Sequence, residues 1–251
     1  MPSLFDSIQV GEQQLPNRIL MAPLTRGRAT RNHVPTELMI AYYTQRVHPS
    51  FLGGAQPVSS SATTAPGHTH TYDGKQPYVE ARPLGIHEIP RLLDDYEHAA
   101  KNAMRAGFDG VQIHAANGYL IDQFLRDNSN FRDDAYGGSV ENRIRLLTEV
   151  TQRVVDTIGA ERTGVRLSPN GDSQGVNDSD PETLFSAAAA ALDKIGIAYL
   201  ELREPPFDGT FGKADRPPVH PVIRKAFSRT LVLNSDYTHE KAQAALDAGE
   251  A

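Results

Sequence analysis

The feature that most constrains this chain is the regular alternation of short apolar runs with longer amphipathic segments. Short apolar runs are typical of buried strands, whereas apolar residues at helical spacing indicate helices with one buried face. The expected strands are Ile19–Leu24, Val111–His114, Gly164–Leu167, Ile197–Leu202 and Leu231–Leu233. Strand–helix alternation over this length predicts a parallel α/β sheet with right-handed crossovers. Five strands are fewer than the eight of a closed barrel, so periodicity alone leaves a doubly wound sheet open.

Helices are expected between and after these strands. Their predicted ranges are Ile89–Gly107, Val140–Ile158, Pro181–Ile195 and Pro221–Phe227, followed by a last helix from Thr238 to the end of the chain. Gly107 is expected to end the first helix and Asp180 to cap the third. Residues 51–87 are rich in Gly, Pro, Ser and Thr, which indicates a long excursion loop within about 47–88. We therefore interpret residues 1–251 as one domain.

Composition argues against several classes of protein. The net charge of −6 disfavours a general affinity for nucleic acid or anionic membranes. The chain has no cysteine, and therefore no disulfide, no thiolate metal site and no cysteine nucleophile. Acidic residues at Asp6 and Glu12 disfavour a signal peptide, and no apolar run has the length of a membrane helix. These features predict a soluble, cytoplasmic protein.

Polar side chains that could perform chemistry cluster where predicted strands end, which is the ligand-binding edge of α/β folds. Residues 113–119 carry an imidazole, a carboxamide and a phenol. His114 and Asn117 can each donate a hydrogen bond to one substrate oxygen, and Tyr119 is a weak acid. In the alternative interpretation, His114 packs in the core and Asn117 forms an ordinary turn with Gly118.

Arg166 lies inside an otherwise apolar strand, where a cation must be paired or must contact a polar or anionic ligand. An internal salt bridge is the alternative to a ligand contact. Thr25 follows Pro23 and Leu24 at the end of the first predicted strand. Its hydroxyl either contacts a ligand or only ends the strand.

Other charged or metal-binding side chains have simpler interpretations. His68 and His70 have the spacing of some zinc sites, but they lie in the loop without a carboxylate framework, so no metal site is predicted. The charged residues of the 140–158 helix are expected to form a solvated, salt-bridged face: Glu141, Arg143, Arg145, Glu149 and Arg153.

Three segments taken together are far more specific than any single motif. They are LFDSIQVGEQQLPNRILMAPLTR, FDGVQIHAANGYLIDQFLRDNSNFRDDAYGGSVENRIRLLTEV and GVRLSP. Over nearly its whole length the chain resembles the old yellow enzyme family in its bacterial ene-reductase branch, and the stretch from Gly107 to Val150 is the most specific part. The resemblance implies a (β/α)8 TIM barrel that binds FMN at its C-terminal face and takes hydride from NAD(P)H.

The resemblance also assigns roles to the cofactor-binding positions. It implies that Pro23, Leu24 and Thr25 line the flavin ring, with the hydroxyl of Thr25 near the O4 atom. It further implies that Arg166 reaches the N1–O2 edge of the ring, which would explain the buried cation without any other partner.

For the substrate, the resemblance implies that His114 and Asn117 hold a carbonyl or nitro oxygen above the ring. Tyr119 would protonate the α-carbon. The implied activity is reduction of the C=C bond of α,β-unsaturated carbonyl or nitro compounds, by ping-pong hydride transfer, in a monomer or homodimer. The partner is thus a small molecule.

The chain departs from the family pattern at two places. At Arg46–Val47 the sequence passes directly into a segment that the family has beyond its third strand. It also stops at Ala251, before the family's eighth strand and FMN phosphate-binding segment. The second, third and eighth strands are therefore expected to be absent, so the expected barrel is incomplete and FMN retention is open. The alternative function is that of a flavin-free, non-catalytic remnant of the same family, and a metal-dependent hydrolase using His68 and His70 is a more distant one.

Overall fold

The computed structural model describes residues 2–21, 55–71, 74–171, 174–210 and 212–251. The chain begins with an antiparallel hairpin of β1 (Ile8–Val10) and β2 (Gln13–Leu15) that the sequence analysis did not predict. Glu12 in its turn forms a surface ion pair, at 3.1 Å, with Arg162 of the 3₁₀ turn Ala160–Arg162. Residues 19–21 form no strand, and the rest of the predicted first strand lies outside the described residues.

The predicted excursion loop contains regular structure, so its description as a plain loop was incomplete. The short strand β3 (Val58–Ser59) pairs in parallel with β6 (Arg82–Pro83). Between them, β4 (His68–Thr71) and β5 (Gly74–Pro77) form a second antiparallel hairpin. These elements are two to four residues long, and so too short for a periodic apolar pattern.

Helix α1 (Ile89–Arg105) follows a 3₁₀ turn at Ile86–Glu88 and ends where predicted. Gly107 has a φ of +87°, and the N–H of Phe108 bonds the carbonyl of Ala103 at 3.2 Å, so the helix closes through a left-handed glycine.

The next strand, β7 (Val111–His114), has the predicted bounds and leads into a short helix, α2 (Leu120–Leu125), that was not predicted. The predicted helix 140–158 is divided into α3 (Val140–Arg143) and α4 (Arg145–Ile158). The side chain of Ser139 caps α3 by accepting from the N–H of Asn142 at 3.3 Å.

The second half repeats strand and helix as predicted. It contains β8 (Thr163–Leu167), α5 (Pro181–Ile195), β9 (Tyr199–Arg203), α6 (His220–Ala226), β10 (Thr230–Asn234) and α7 (His239–Asp247). Asp180 caps α5 by accepting from the N–H of Thr183 at 3.1 Å, as expected. The last helix ends at Asp247 and not at the end of the chain. No helix among the described residues combines the length and apolar character needed to cross a bilayer.

The main sheet has four parallel strands in the order β10-β9-β8-β7. Neighbouring strands of this sheet are therefore consecutive in the chain. A doubly wound sheet reverses its strand order at a switch point, whereas a barrel adds strands in one direction. The described part of the sheet thus has the winding of a barrel. The junction at Arg46–Val47 lies outside the described residues.

The two faces of the sheet differ in chemistry. Alternate side chains such as Ile113, Val165 and Leu200 are buried in the core beneath the helices. The intervening positions point to the opposite face, and they include polar residues: Gln112, His114, Arg166, Glu201, Arg203 and Asn234. The functional candidates therefore lie on the face away from the helical layer.

We expect the Gly164→Ala substitution to destabilise the fold, because a Cβ at this position would overlap the ring of Tyr199 on the neighbouring strand. Overpacking of this kind costs about 1–3 kcal/mol. Urea unfolding of the variant would measure the loss. In a Tyr199→Ala background the same glycine substitution should cost much less, and equal costs in both backgrounds would contradict the explanation.

Candidate functional site

The carboxyl ends of β7 and β8 bring two of the predicted site residues together. His114 ends β7 and pairs in register with Arg166 of β8. Beyond them, the N–H of Ala115 donates to the carbonyl of Arg166 at 3.0 Å, which extends the ladder by one step. The site is thus built on paired strands and on the loop that directly follows β7.

The imidazole of His114 is neutral in the folded protein. Burial, and secondly the positive charge of Arg166, lower its pKa to about 4. Its ring lies 4.9 Å from the ring of Tyr119, at an interplanar angle of 52°. A neutral imidazole retains one N–H donor, so it can hydrogen-bond an uncharged carbonyl oxygen without giving up its proton.

Asn117 has a φ of +57° and Gly118 a φ of +73°, so the loop contains two consecutive left-handed residues. The N–H of Asn117 donates to Oγ of Ser168 at 2.7 Å, and the N–H of Gly118 donates to Oδ2 of Asp122 at 2.8 Å. The Asn-Gly turn of the alternative interpretation is therefore present. The turn does not explain the side chain of Asn117, however. Its Oδ1 is buried and accepts no hydrogen bond from the described residues.

Of the two interpretations of Arg166, the internal salt bridge is present, so the ligand contact is not needed to explain the buried cation. Its Nε lies 3.6 Å from Oε1 of Glu201, and both side chains are buried. Glu201 also accepts from Nε2 of Gln112 at 2.5 Å and from Nδ2 of Asn234 at 2.6 Å. Glu201 lies in an apolar strand just as Arg166 does, and that shared pattern was the sequence signal that could have indicated the pair.

The ion pair does not satisfy the guanidinium of Arg166 fully. Its buried Nε forms no hydrogen bond within the described part of the chain, because 3.6 Å is too long for one. A second buried cation, Arg203, has a pKa lowered by burial and then by the charge of Arg166. This face therefore holds two buried arginines near each other, an arrangement that suits an electron-rich ligand, and Asp236 partly offsets the lowering of the pKa of Arg203.

Other predicted site residues are not brought into this cluster by the described structure. Pro23, Leu24 and Thr25 lie outside the described residues. His68 lies in the β4–β5 hairpin. Among the described residues, no group of three or more histidine, aspartate or glutamate side chains could hold a metal ion.

The expected solvated face of the 140–158 segment was wrong for Arg143. Its side chain is buried, and it donates to the carbonyl of Leu125 and to Oδ2 of Asp178, both at 2.5 Å. Arg153 does form the expected surface pairs, with Asp94 and Glu97. Arg143 points inward because it satisfies the free carbonyl at the end of α2.

Sequence reasoning also missed a buried ion pair below the Asn117 loop. Nε of Arg126 donates to Oδ1 of Asp122 at 2.7 Å, and neither side chain has measurable exposure. The guanidinium of Arg126 also donates to the carbonyl of Ser168 and lies 4.7 Å from the centre of the Phe185 ring. The i,i+4 spacing of the two charges was visible in the sequence, but their burial was not.

Comparison with known proteins identifies the class of protein. The chain belongs to the NADH:flavin oxidoreductase / NADH oxidase family, whose model matches residues 3–52 and 53–244, and so to the old yellow enzymes. A solved old yellow enzyme homologue from Zymomonas mobilis is 52% identical, with a TM-score of 0.91, over 100% of this chain and 87% of that one. Old yellow enzymes are TIM barrels, so the four parallel strands belong to a barrel and not to a doubly wound sheet.

Two curated relatives extend the comparison. The chanoclavine-I aldehyde reductase of Penicillium roqueforti is 38% identical over 268 residues, which cover 81% of this chain and 70% of the relative. A protein of Leishmania infantum, described as a probable flavin mononucleotide-dependent alkene reductase, is 33% identical over 307 residues, 96% of this chain and 83% of its own. For two further relatives, the chain spans only 64% and 46% of their lengths.

The low pKa of His114 predicts a pH-dependent contribution to stability. The unfolded chain binds a proton on this side chain near pH 6.5, whereas the folded protein does so only near pH 4. The contribution is therefore present above pH 6.5 and is lost as the pH falls towards 4. We expect the difference in unfolding free energy between the parent protein and His114→Gln to fall by up to about 3 kcal/mol over this range.

Urea unfolding at a series of pH values would measure this difference, and His220→Gln provides a control of opposite sign. Although burial opposes ionisation of His220, its 2.9 Å contact with Glu204 and the charges of Glu204 and Glu250 raise its pKa. Its contribution should therefore be present at low pH and be lost as the pH rises. A difference for His114→Gln that does not change with pH would contradict the assigned pKa.

Proposed function

We propose that this protein is an FMN-dependent reductase that uses NAD(P)H to reduce the C=C bond of α,β-unsaturated carbonyl or nitro compounds. One observation carries the proposal. A neutral, buried imidazole, a carboxamide and a phenol share one strand end with a buried arginine on the next strand. Membership of the flavin oxidoreductase family, and the description of the Leishmania relative, support the same chemistry.

His114 and Asn117 are proposed to bind the substrate oxygen. Each can donate one hydrogen bond, and His114 ends β7 while Asn117 follows three residues later. Two donors on a carbonyl or nitro oxygen draw electron density from the conjugated double bond, which makes its β-carbon a better hydride acceptor. Because the pKa of His114 is about 4, this donor is neutral at pH 7.

Tyr119 is proposed to supply the proton that completes the reduction. Its ring lies beside that of His114, and its backbone begins α2, with its N–H bonded to the carbonyl of Ala116 at 3.2 Å. The phenol is thereby held at the same strand end as the oxygen-binding pair. Transfer of its proton to the α-carbon makes Tyr119 the general acid of the reaction.

The residues present fit a flavin ring at this edge. Arg166 supplies a buried cation whose Nε finds no hydrogen-bond acceptor among the described residues, which suits the electron-rich N1–O2 edge of the ring. Pro23, Leu24 and Thr25 are proposed to line the ring. When bound, the flavin accepts hydride from NAD(P)H and supplies it to the substrate, whereas the side chains of this protein bind, polarise and protonate the substrate.

We further infer that strand–helix units present in the relatives are absent from this chain. The alignment with the Leishmania protein extends over 307 positions, although this chain has only 251 residues. The family model also matches in two segments, 3–52 and 53–244, that meet close to the junction at Arg46–Val47. The resemblance assigns the second and third strands of the barrel to this place. If the barrel is incomplete, the two alternative functions differ in whether the protein retains FMN. An enzyme would retain it, whereas a non-catalytic remnant would be flavin-free.

The direct test is the absorbance spectrum of the purified protein after incubation with FMN and removal of free cofactor. We expect a visible flavin band that scales with protein concentration. An Arg166→Gln variant should retain less flavin, because the ring would lose its cation. Arg224→Gln is a matched control, since Arg224 is a partly buried arginine of α6 that donates to the backbone carbonyls of Phe227 and Arg229, just after that helix and outside the site. A colourless parent protein would contradict the proposal and favour the flavin-free remnant.

Replacing Tyr119 with Phe tests the catalytic assignment. The phenol acts only on the substrate, so we expect reduction of an enone to slow by about 10²–10⁴-fold, the usual contribution of a general acid. Reduction of the bound flavin by NAD(P)H should remain near the parent rate. Stopped-flow absorbance separates the two half-reactions, and equal slowing of both would refute the role of Tyr119.

A further inference from the structure

The backbone ladder between β7 and β8 continues past the strands through a side chain. Within the ladder, the N–H of Ala115 donates to the carbonyl of Arg166. Two residues later, the N–H of Asn117 should reach the carbonyl of Ser168 by the regular spacing of a parallel pair. It donates instead to the hydroxyl of Ser168, at 2.7 Å, while the Ser168 carbonyl accepts from Arg126.

The Ser168 hydroxyl is itself positioned by a hydrogen bond to the carboxylate of Asp122. It donates to Oδ2 of Asp122 at 3.3 Å, and the same carboxylate oxygen accepts the N–H of Gly118 at 2.8 Å. The other carboxylate oxygen of Asp122 accepts from Arg126. Ser168, Asp122 and Arg126 all lack exposure to solvent, so water does not compete for these bonds.

The loop above requires such support because its backbone is strained. A left-handed conformation costs a residue with a side chain about 1–2 kcal/mol, and asparagine tolerates it better than most. Asn117 adopts this conformation, and Gly118 follows in the same region. Nε2 of Gln123 fixes the carbonyl of Gly118 at 2.8 Å, so the loop is bonded on both its donor and acceptor sides.

The side chain of Asn117 is therefore oriented through its backbone. Its Oδ1 accepts no hydrogen bond from the described residues, although the atom is buried. If the backbone of Asn117 rotated, its carboxamide would move relative to His114. The bond that resists this rotation most directly is the one from the N–H of Asn117 to Ser168.

We propose that Ser168, supported by the buried Asp122–Arg126 ion pair, is a positioning residue that sets the carboxamide of Asn117 for the substrate oxygen. The inference rests on the proposed function, because it takes Asn117 as the ligand of that oxygen. It extends the function by assigning a role to three buried polar residues that do not touch the substrate themselves.

The test compares Ser168→Ala with the parent protein loaded with FMN. The probe is 4-chlorophenol, an oxygen-bearing ring that the His114–Asn117 pair should bind as it binds a substrate oxygen. We expect Ser168→Ala to weaken phenol binding about tenfold, the effect of one lost hydrogen bond. His114→Ala, which removes a direct donor, should weaken it at least as much. Spectroscopic titration of the bound flavin measures both affinities.

Three further measurements separate positioning from general loss of stability. Ser168→Thr keeps the hydroxyl and should restore most of the affinity. Thr163→Val removes a buried hydroxyl that bonds Gly159 at the opposite end of the same strand, and it should leave phenol binding unchanged. Amide hydrogen exchange at Asn117 and Gly118, measured without flavin, should accelerate more than tenfold in Ser168→Ala and not in Thr163→Val. If Ser168→Ala does not fold, Ser168→Cys provides the same comparison with a weaker hydrogen-bonding group.

The outcomes are distinct. Equal weakening by Ser168→Ala and Thr163→Val would overturn the proposal, because the effect would then be one of stability. Unchanged phenol affinity or unchanged amide exchange in Ser168→Ala would overturn it as well. A parent protein that binds neither flavin nor phenol would refute the proposed function instead, and the exchange rates would still decide whether Ser168 holds the loop.

Discussion

The ion pair between Asp122 and Arg126 is the interaction on which the candidate site depends most. Both charges are withdrawn from water, and further hydrogen bonds to the Ser168 carbonyl, the Ser168 hydroxyl and the N–H of Gly118 support the pair, although Nη1 of Arg126 forms none with the described residues. Removing one partner of such a pair costs about 3–5 kcal/mol, since the other charge stays buried and unpaired. The pair joins α2 to the end of β8, and Arg126 also packs on Phe185 of α5. The guanidinium of Arg126 thus contacts α2, the end of β8 and α5.

A second buried network, on the sheet face away from the helices, sets the electrostatics of the site. Glu201 accepts hydrogen bonds from amides on β7 and β10, while Arg166 approaches it from β8. Burial lowers the pKa of both Arg203 and His114, and the positive charge of Arg166 lowers both further. Burial and this neighbouring cation therefore both favour a neutral imidazole at the end of β7. A neutral imidazole keeps one N–H donor, which the proposed role of His114 requires.

The sequence predicted helices that bury one face and strands that form continuous apolar runs. Helix α5 has the predicted bounds, and strands β7 to β10 lie at the predicted apolar runs, because helical spacing and short apolar runs are local signals. Helix α2 was missed for a physical reason. All six of its residues are buried, including the polar Asp122 and Gln123, so it has no solvent-exposed face to produce an amphipathic pattern. Arg143 was misjudged because a charged residue on a helix is usually solvated, whereas here the carbonyl at the end of α2 and the buried carboxylate of Asp178 make its burial favourable.

The residues of the candidate site also fall into two groups: those that the local sequence indicates, and those that only a long-range contact reveals. His114, Asn117, Tyr119 and Arg166 were predictable, because polar residues at the ends of apolar runs stand out in any α/β sequence. Their supports were not predictable in this way, since Ser168 contacts Asn117 across 51 residues of chain and Asp122 across 46. Nothing within either segment indicates the other. Only the parallel pairing of β7 with β8 brings them together, and it does so at the point where the backbone ladder ends. A strand end of this kind leaves donors without regular partners, and a buried serine at that point can direct one of them. The orientation proposed for Asn117 therefore depends on a buried residue, Ser168, that the local sequence does not distinguish.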